Sequence, residues 1–322
     1  MKTISVMLPT YNEEGNVKEI YEEIKNIFLN ELSDYNYEIV FIDNKSKDNT
    51  RNIIREICKN DKNVKAIFNI TNFGQFNSPF HAMCQCTGDC VVSMCSDFQD
   101  PPEYIPQMVK EWEKGNKVIC MIKSSSKESK LMYFYRSCYY YLLKKMSNIE
   151  QIRQFTGFGL YDASFVKILA QIKDASPFIK GIISEYAPDH IEIPYVQQKR
   201  KKGKSKNNFF SLYDYAMLSF TSYTKGGLRI ATFVGLIISF FSFVLALVYL
   251  ILKLVMWNQF IAGNAPMLIG FFFLGGIQLF FLGLLGEYVM SMNTRIINKP
   301  LVIEEERLNF ETPDDVISLT NR

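Results

Sequence analysis

The chain has 322 residues, a formal net charge of +3 and a hydrophobic fraction of 48%. This length suits one large domain with an appendage, and the near-balanced charge excludes the broad basic field of a nucleic-acid binder. From the first residues onward, short apolar runs alternate with helical periodicity. Ile4–Leu8 predicts a strand, and Val17, Ile20, Tyr21, Ile24, Ile27 and Phe28 predict a helix. Tyr37–Ile42 predicts a second strand, and Ile53, Ile54, Ile57 and Cys58 mark a helix. Then come a strand at Val64–Ile70, a helix at Phe76–Cys86, a strand at Cys90–Met94, a helix at Tyr104–Lys114 and a strand at Lys117–Ile122. This βαβαβαβαβ order predicts an α/β fold with a mostly parallel sheet and helices on both faces. An aromatic-rich helix is expected within Ser124–Gln154, and a strand at His190–Gln197.

Beyond that point the composition changes. Lys199, Arg200, Lys201, Lys202, Lys204 and Lys206 crowd together, and Leu212–Thr224 reads as an amphipathic helix suited to an interface. Ile230–Leu252 and Met267–Met290 are apolar runs, each about the 20 residues that cross a bilayer core. Lys225 and Arg229 precede the first run, and Arg295 and Lys299 follow the second, while 255–266 between them carries no Lys or Arg. The positive-inside rule then places both termini on the cytoplasmic side of a cell membrane. The expected division is a catalytic domain over 1–206, a juxtamembrane helix over 207–228, a two-helix hairpin over 229–292 and a polar, acidic, mobile tail over 293–322. Seven cysteines, an odd count without a secretory signal, point to reduced thiols. Their spacing lacks a zinc knuckle.

Four polar clusters follow the first four strands: Pro9-Thr10-Tyr11-Asn12-Glu13, Asp43-Asn44-Lys45-Ser46, Asn72-Phe73-Gly74-Gln75 and Ser96-Asp97-Phe98-Gln99-Asp100. Ligands of open α/β sheets bind outside the carboxyl ends of the strands, so these clusters form the expected site. Together with Arg200-Lys201-Lys202-Gly203-Lys204-Ser205-Lys206, Phe273–Leu279 and Leu285-Gly286-Glu287-Tyr288, they make the chain resemble glycosyltransferase family 2. More specifically, it resembles the polyisoprenyl-phosphate glycosyltransferases of that family, with a GT-A catalytic fold.

The resemblance implies that Pro9, Tyr11, Glu13, Asp43 and Asn44 hold the nucleotide of a nucleotide-sugar donor, with Asn44 standing where relatives often carry Asp. It implies that Asp97, with Gln99, holds Mg2+ or Mn2+. Cys95 occupies the first position of the usual D-x-D and is a poor ligand for such a hard cation. Arg200, Ser205 and Lys206 would meet the phosphates of donor and acceptor, whereas Lys201, Lys202 and Lys204 would face the membrane surface. Relatives often place Asp near Gly157 and Arg near Gly159, so Glu185 is the residue offered in place of a missing base. The implied reaction is an inverting transfer from a nucleotide-sugar donor, UDP-linked as in bacterial relatives, to a polyprenyl (undecaprenyl or dolichyl) phosphate. Homo-oligomerisation, contact with membrane lipids and a separate downstream flippase are also implied. Two other readings stay open: a lipid-alcohol acceptor, and a degenerate scaffold without activity.

Overall fold

The computed structural model describes residues 1–124, 152–172, 174, 176–201, 264–297 and 299–310, with scattered residues between 217 and 255. It divides into two compact units. The first comprises Met1–Tyr133, Ile149–Asn208 and Ile297–Arg322; the second comprises Phe134–Asn148 and Phe209–Ile296.

The first unit is built on one eight-stranded sheet. Its strands are β1 (Thr3–Thr10), β2 (Asn36–Asp43), β3 (Val64–Asn69), β4 (Cys90–Ser93), β5 (Val118–Lys123), β6 (Phe155–Asp162), β7 (Ile191–Tyr195) and β8 (Glu304–Leu308). The order is β7-β5-β6-β4-β1-β2-β3-β8. Neighbours β4-β1-β2-β3 are parallel, as is the pair β5-β7, whereas β6 and β8 run antiparallel to their partners. The helices are α1 (Val17–Asn30), α2 (Thr50–Asn60), α3 (Gly74–Gln85), α4 (Ile105–Glu113), α5 (Ala163–Gln171) and α6 (Ile179–Tyr186).

Strand side chains alternate between the two faces. Ile4, Val6 and Leu8 of β1 join a core with residues of α1, α2 and α4. Met7 joins the opposite core with residues of α3, α5 and α6. A sheet covered on both faces explains why the central strands read as continuous apolar runs. It also leaves the strand ends as the place where polar groups meet water.

Two features depart from the predicted elements. β6, absent from them, is inserted between β4 and β5 in the sheet. β6 escaped notice because Gly157 and Gly159 interrupt its apolar pattern. Gly159 lies between β4 and β5, opposite Ser93 and Cys120. A Cβ there would lie 2.2 Å from the Ile119 carbonyl oxygen, so the sheet accepts no side chain at this position without moving backbone. The second concerns the acidic tail. Glu304–Leu308 is ordered as β8 and closes the β3 edge of the sheet. Its charges gave it the look of a solvated tail, but they meet cations on α2 and the β2 loop.

In the second unit, α7 (Asn264–Ile296) has 33 residues. Its stretch Phe273–Thr294 has mean hydropathy 1.6 and is long and apolar enough to cross a membrane by length and composition. The described residues of the first apolar run, from Phe233 to Ile251, are helical. The aromatic-rich segment, most of Leu212–Thr224 and most of the loop between the two runs lie outside the described residues.

Candidate active site

The register sets the site. Thr10 at the end of β1 stands beside Asp43 at the end of β2, and Met7 beside Ser93 of β4. The loops after β1, β2, β3 and β4 therefore leave from one edge. Each contains a left-handed residue: Asn12 (φ 55°), Lys45 (φ 64°), Gly74 (φ 86°) and Phe98 (φ 62°). At a non-glycine position this conformation is stabilised only when the surroundings over-determine it, and here the loops are stitched together. The Asn12 amide donates to Ser46 Oγ (2.8 Å), and Asn12 Oδ1 accepts from the Lys47 amide (2.7 Å). The Glu13 amide donates to Thr50 Oγ1 (2.8 Å), and Ser96 Oγ donates to the Pro9 carbonyl (2.8 Å).

Across these loops lies the segment after β7. The Gln198 amide donates to the Gln99 carbonyl (3.3 Å), which brings Arg200 over the β1 and β4 loops. Arg200 Nη2 contacts Asp97 Oδ2 at 2.7 Å, and Nη1 contacts Glu13 Oε1 at 3.2 Å. One guanidinium thus spans two carboxylates that are 4% and 7% exposed. Asp97 Oδ1 also accepts the Gln99 amide (3.0 Å), and Glu13 Oε2 accepts from Asn16 Nδ2 (2.6 Å). Burial raises the Glu13 pKa, with Asn16 and Arg200 only partly offsetting it. Behind them Asp100 is buried, accepting the Tyr195 hydroxyl and the Cys95 amide, both at 3.0 Å. Desolvation also raises its pKa. Cys95 has a solvent-facing surface, but desolvation of its thiol, followed by the nearby Asp100 and Asp97 charges, pushes the thiol well up. It stays a neutral thiol, which is no ligand for a hard cation.

Asp43 and Asn44 form the floor. Asp43 is fully buried, accepts from the Ser46 amide and hydroxyl, and lies 2.9 Å from Arg51 Nε. The Arg51 contact is close but is not aligned as a hydrogen bond. Burial again raises the Asp43 pKa against the pull of Ser46 and Arg51. Asn44 Oδ1 accepts from the Phe73 amide (2.9 Å), Ser78 Oγ (2.9 Å) and Asn69 Nδ2 (3.2 Å), and its Nδ2 donates to the Gly74 carbonyl (2.9 Å). The Asn44 amide is thus occupied in bracing the β3 loop. An ionised Asp could not make the bond to Gly74.

The expected site residues therefore separate. Pro9, Tyr11, Glu13, Asp43, Asn44, Asp97, Gln99 and Arg200 are brought to one edge. Ser205 and Lys206 lie outside the described residues. Glu185 is exposed near the end of α6, and no hydrogen bond or ion pair joins it to Asp97, Glu13 or Arg200. Lys201 pairs with Glu19 and stands 4.0 Å from the Phe98 ring centroid. Sequence reasoning missed Thr50 and Arg51. Thr50 reads as an ordinary helix-start residue, and Arg51 carries no motif.

Residues 5–169 match the family described as Glycosyl transferase family 2. The chain belongs to that family. It is a glycosyltransferase, and its α/β body with a mostly parallel sheet is GT-A-like. Similar relatives include the bactoprenol glucosyl transferase of Shigella phage SfX, 30% identical over 94% of this chain and 99% of that one. The SfII prophage-derived bactoprenol glucosyl transferase of Shigella flexneri is 31% identical over 93% of this chain and 96% of its own length. Among solved structures, mannosyl-3-phosphoglycerate synthase from Rubrobacter xylanophilus is similar with a TM-score of 0.48 at 14% identity, covering 67% of this chain and 71% of that one.

Proposed function

We propose that this glycosyltransferase moves a sugar from a nucleotide-sugar donor, UDP-linked, to a polyprenyl phosphate at the cytoplasmic face of a membrane. The observation that carries the reading is Arg200 spanning Glu13 and Asp97 at the carboxyl edge of the sheet. Near-full-length similarity to bactoprenol glucosyl transferases supports the acceptor.

In the reaction, a phosphate oxygen of the lipid attacks the anomeric carbon. The carbon–oxygen bond to the nucleoside diphosphate breaks, and the diphosphate leaves with the bonding electrons, inverting the centre. The attacking monoester has a second pKa of about 6 and is largely ionised near neutral pH, so no strong base is required. The reaction therefore makes no demand on Glu185 as a base. The β1 and β2 loops would hold the nucleotide, through Tyr11, Glu13 and the chain around Ser46. Arg200 is already placed to meet phosphate oxygens by exchanging a carboxylate partner for one of them.

The donor set suits a hard divalent cation. Asp97 presents a carboxylate that now answers a positive charge, and Gln99 adjoins it. Among the described residues no group of three or more His, Cys, Asp or Glu converges, so substrate oxygens would complete the shell. A bound Mg2+ or Mn2+ would neutralise charge on the leaving diphosphate. Ser205 and Lys206 would add to phosphate binding. α7 and the earlier apolar run would anchor the enzyme as a hairpin beside its lipid substrate, with small residues such as Gly275, Gly276 and Gly283 available for helix packing between copies.

The test supplies purified protein in detergent with undecaprenyl phosphate, Mg2+ or Mn2+ and a panel of labelled UDP- and GDP-sugars. Label entering the organic phase from one donor, and only with metal, is expected. Hydrolysis of a donor without lipid product would overturn the acceptor; transfer from a GDP-sugar alone would overturn the base.

A further inference from the structure

β8 does more than cover an edge. Between Phe68 and Asn69 of β3 its register shifts: Glu306 stands opposite Phe68, and Glu304 opposite Asn69. Glu305 is the extra residue of this bulge. Bulges re-aim a side chain and are frequent beside active sites. Here Glu305 Oε2 meets Lys45 Nζ at 2.7 Å and Arg51 Nη2 at 2.8 Å. Lys45 is the left-handed residue of the β2 loop, and Arg51 stands against Asp43 beneath it. Arg51 Nη2 also donates to the Asn69 carbonyl (3.3 Å). With Nη2 held by Glu305 and Asn69, the guanidinium turns its Nε toward Asp43, off the hydrogen-bonding axis. Asp43 consequently keeps its lone pairs for Ser46, whose hydroxyl in turn accepts the Asn12 amide.

We propose that Glu305 is a positioning residue for the donor nucleotide, acting through Arg51 and Lys45 on the loop that carries Asp43 and Ser46. This rests on the assignment of the β1 and β2 loops to the donor. Without Glu305 the Arg51 fork would be free to close bidentately on Asp43 and compete with Ser46.

Glu306 supplies the comparison. Its carboxylate pairs with Arg55 (2.7 Å) on the same helix and strand. Loss of Glu306 weakens the docking of β8 without touching Arg51 or Lys45. The experiment measures UDP affinity by calorimetry, and donor and acceptor KM and kcat, for the full-length wild type, E305A, E305D and E306A. Hydrogen exchange of the β3 amides reports docking. For E305A a donor KM and a UDP Kd raised roughly threefold to fivefold are expected, the scale of partly exposed ion pairs. Little change in kcat or acceptor KM, partial recovery in E305D and a near-wild-type donor KM in E306A are also expected. Equal donor effects in E305A and E306A would make β8 merely structural and overturn the proposal. So would an unchanged donor KM in E305A with β8 docked. A wild type that binds UDP while E305A behaves identically removes this inference alone; a wild type that binds no UDP removes the donor assignment with it.

Discussion

Asp97 is buried and answers to two neighbours, the Gln99 amide and the Arg200 guanidinium. If it stabilises the leaving diphosphate, Asp97→Ala should lower kcat by roughly a hundredfold or more, the scale of removing one transition-state partner. Full transfer activity in that variant would exclude the role. Asn44 invites the opposite experiment. Asp at this position would face the Gly74 carbonyl with an oxygen in place of a donor, and would stand next to buried Asp43. Asn44→Asp should therefore destabilise the protein by about 1–3 kcal/mol in chemical denaturation and raise donor KM through a loosened β3 loop. Both residues were visible in the sequence as members of polar clusters. Their division of labour was not, because it depends on which atoms the neighbouring loop offers.

Among the elements, the central strands and the helices α1, α2 and α4 were legible because burial on two faces leaves an unbroken apolar signature. β6 and β8 were not. In β6 two glycines dilute the pattern, and the reason for one of them lies in the backbone of β5. Gly159→Ala should cost about 2–3 kcal/mol, as overpacking against backbone does, and should appear as a lowered Tm even where the donor still binds. In β8 the sequence Glu304-Glu305-Glu306 shows charge where a strand is expected to show alternation, yet charged edge strands are a common protection against further pairing. Burial alone would raise the Glu304 pKa, but hydrogen bonds from His81 and Arg307 outweigh it and hold the group down at about 2. A depressed carboxylate contributes stability above its ordinary value of 4.5 that is lost as pH falls toward about 2. Hydrogen exchange of the β3 amides, compared at pH 5.5 and about pH 3, should show β8 loosening before the rest of the sheet. Uniform protection at both values would mean that Glu304 does not secure the strand.

At the scale of the whole molecule, the chain joins a water-facing α/β body to an apolar helix whose surface is mostly exposed large side chains such as Phe271, Phe273, Leu279 and Phe280. So much uncovered apolar surface is not tolerated in water. The protein should remain in the membrane pellet after alkaline carbonate washing and be released by detergent; recovery in the carbonate supernatant would overturn the membrane assignment. The two apolar runs were the plainest signal in the sequence, because a bilayer sets a length that few soluble elements need.

The pairing of β3 with β8 also sets an order of events in time. Arg55 and Glu306, which meet across this edge, are 251 residues apart in the chain. At roughly 5–20 residues per second, the ribosome needs from about ten to about fifty seconds to travel between them. During that interval the β3 edge stands open, able to pair with any passing strand. Closing so long a loop adds only slowly to the entropic penalty, so the delay is one of synthesis. Since α7 is translated before β8, a newly made chain with α7 already in a bilayer would complete its sheet, and with it the frame around Lys45 and Arg51, only on reaching the membrane.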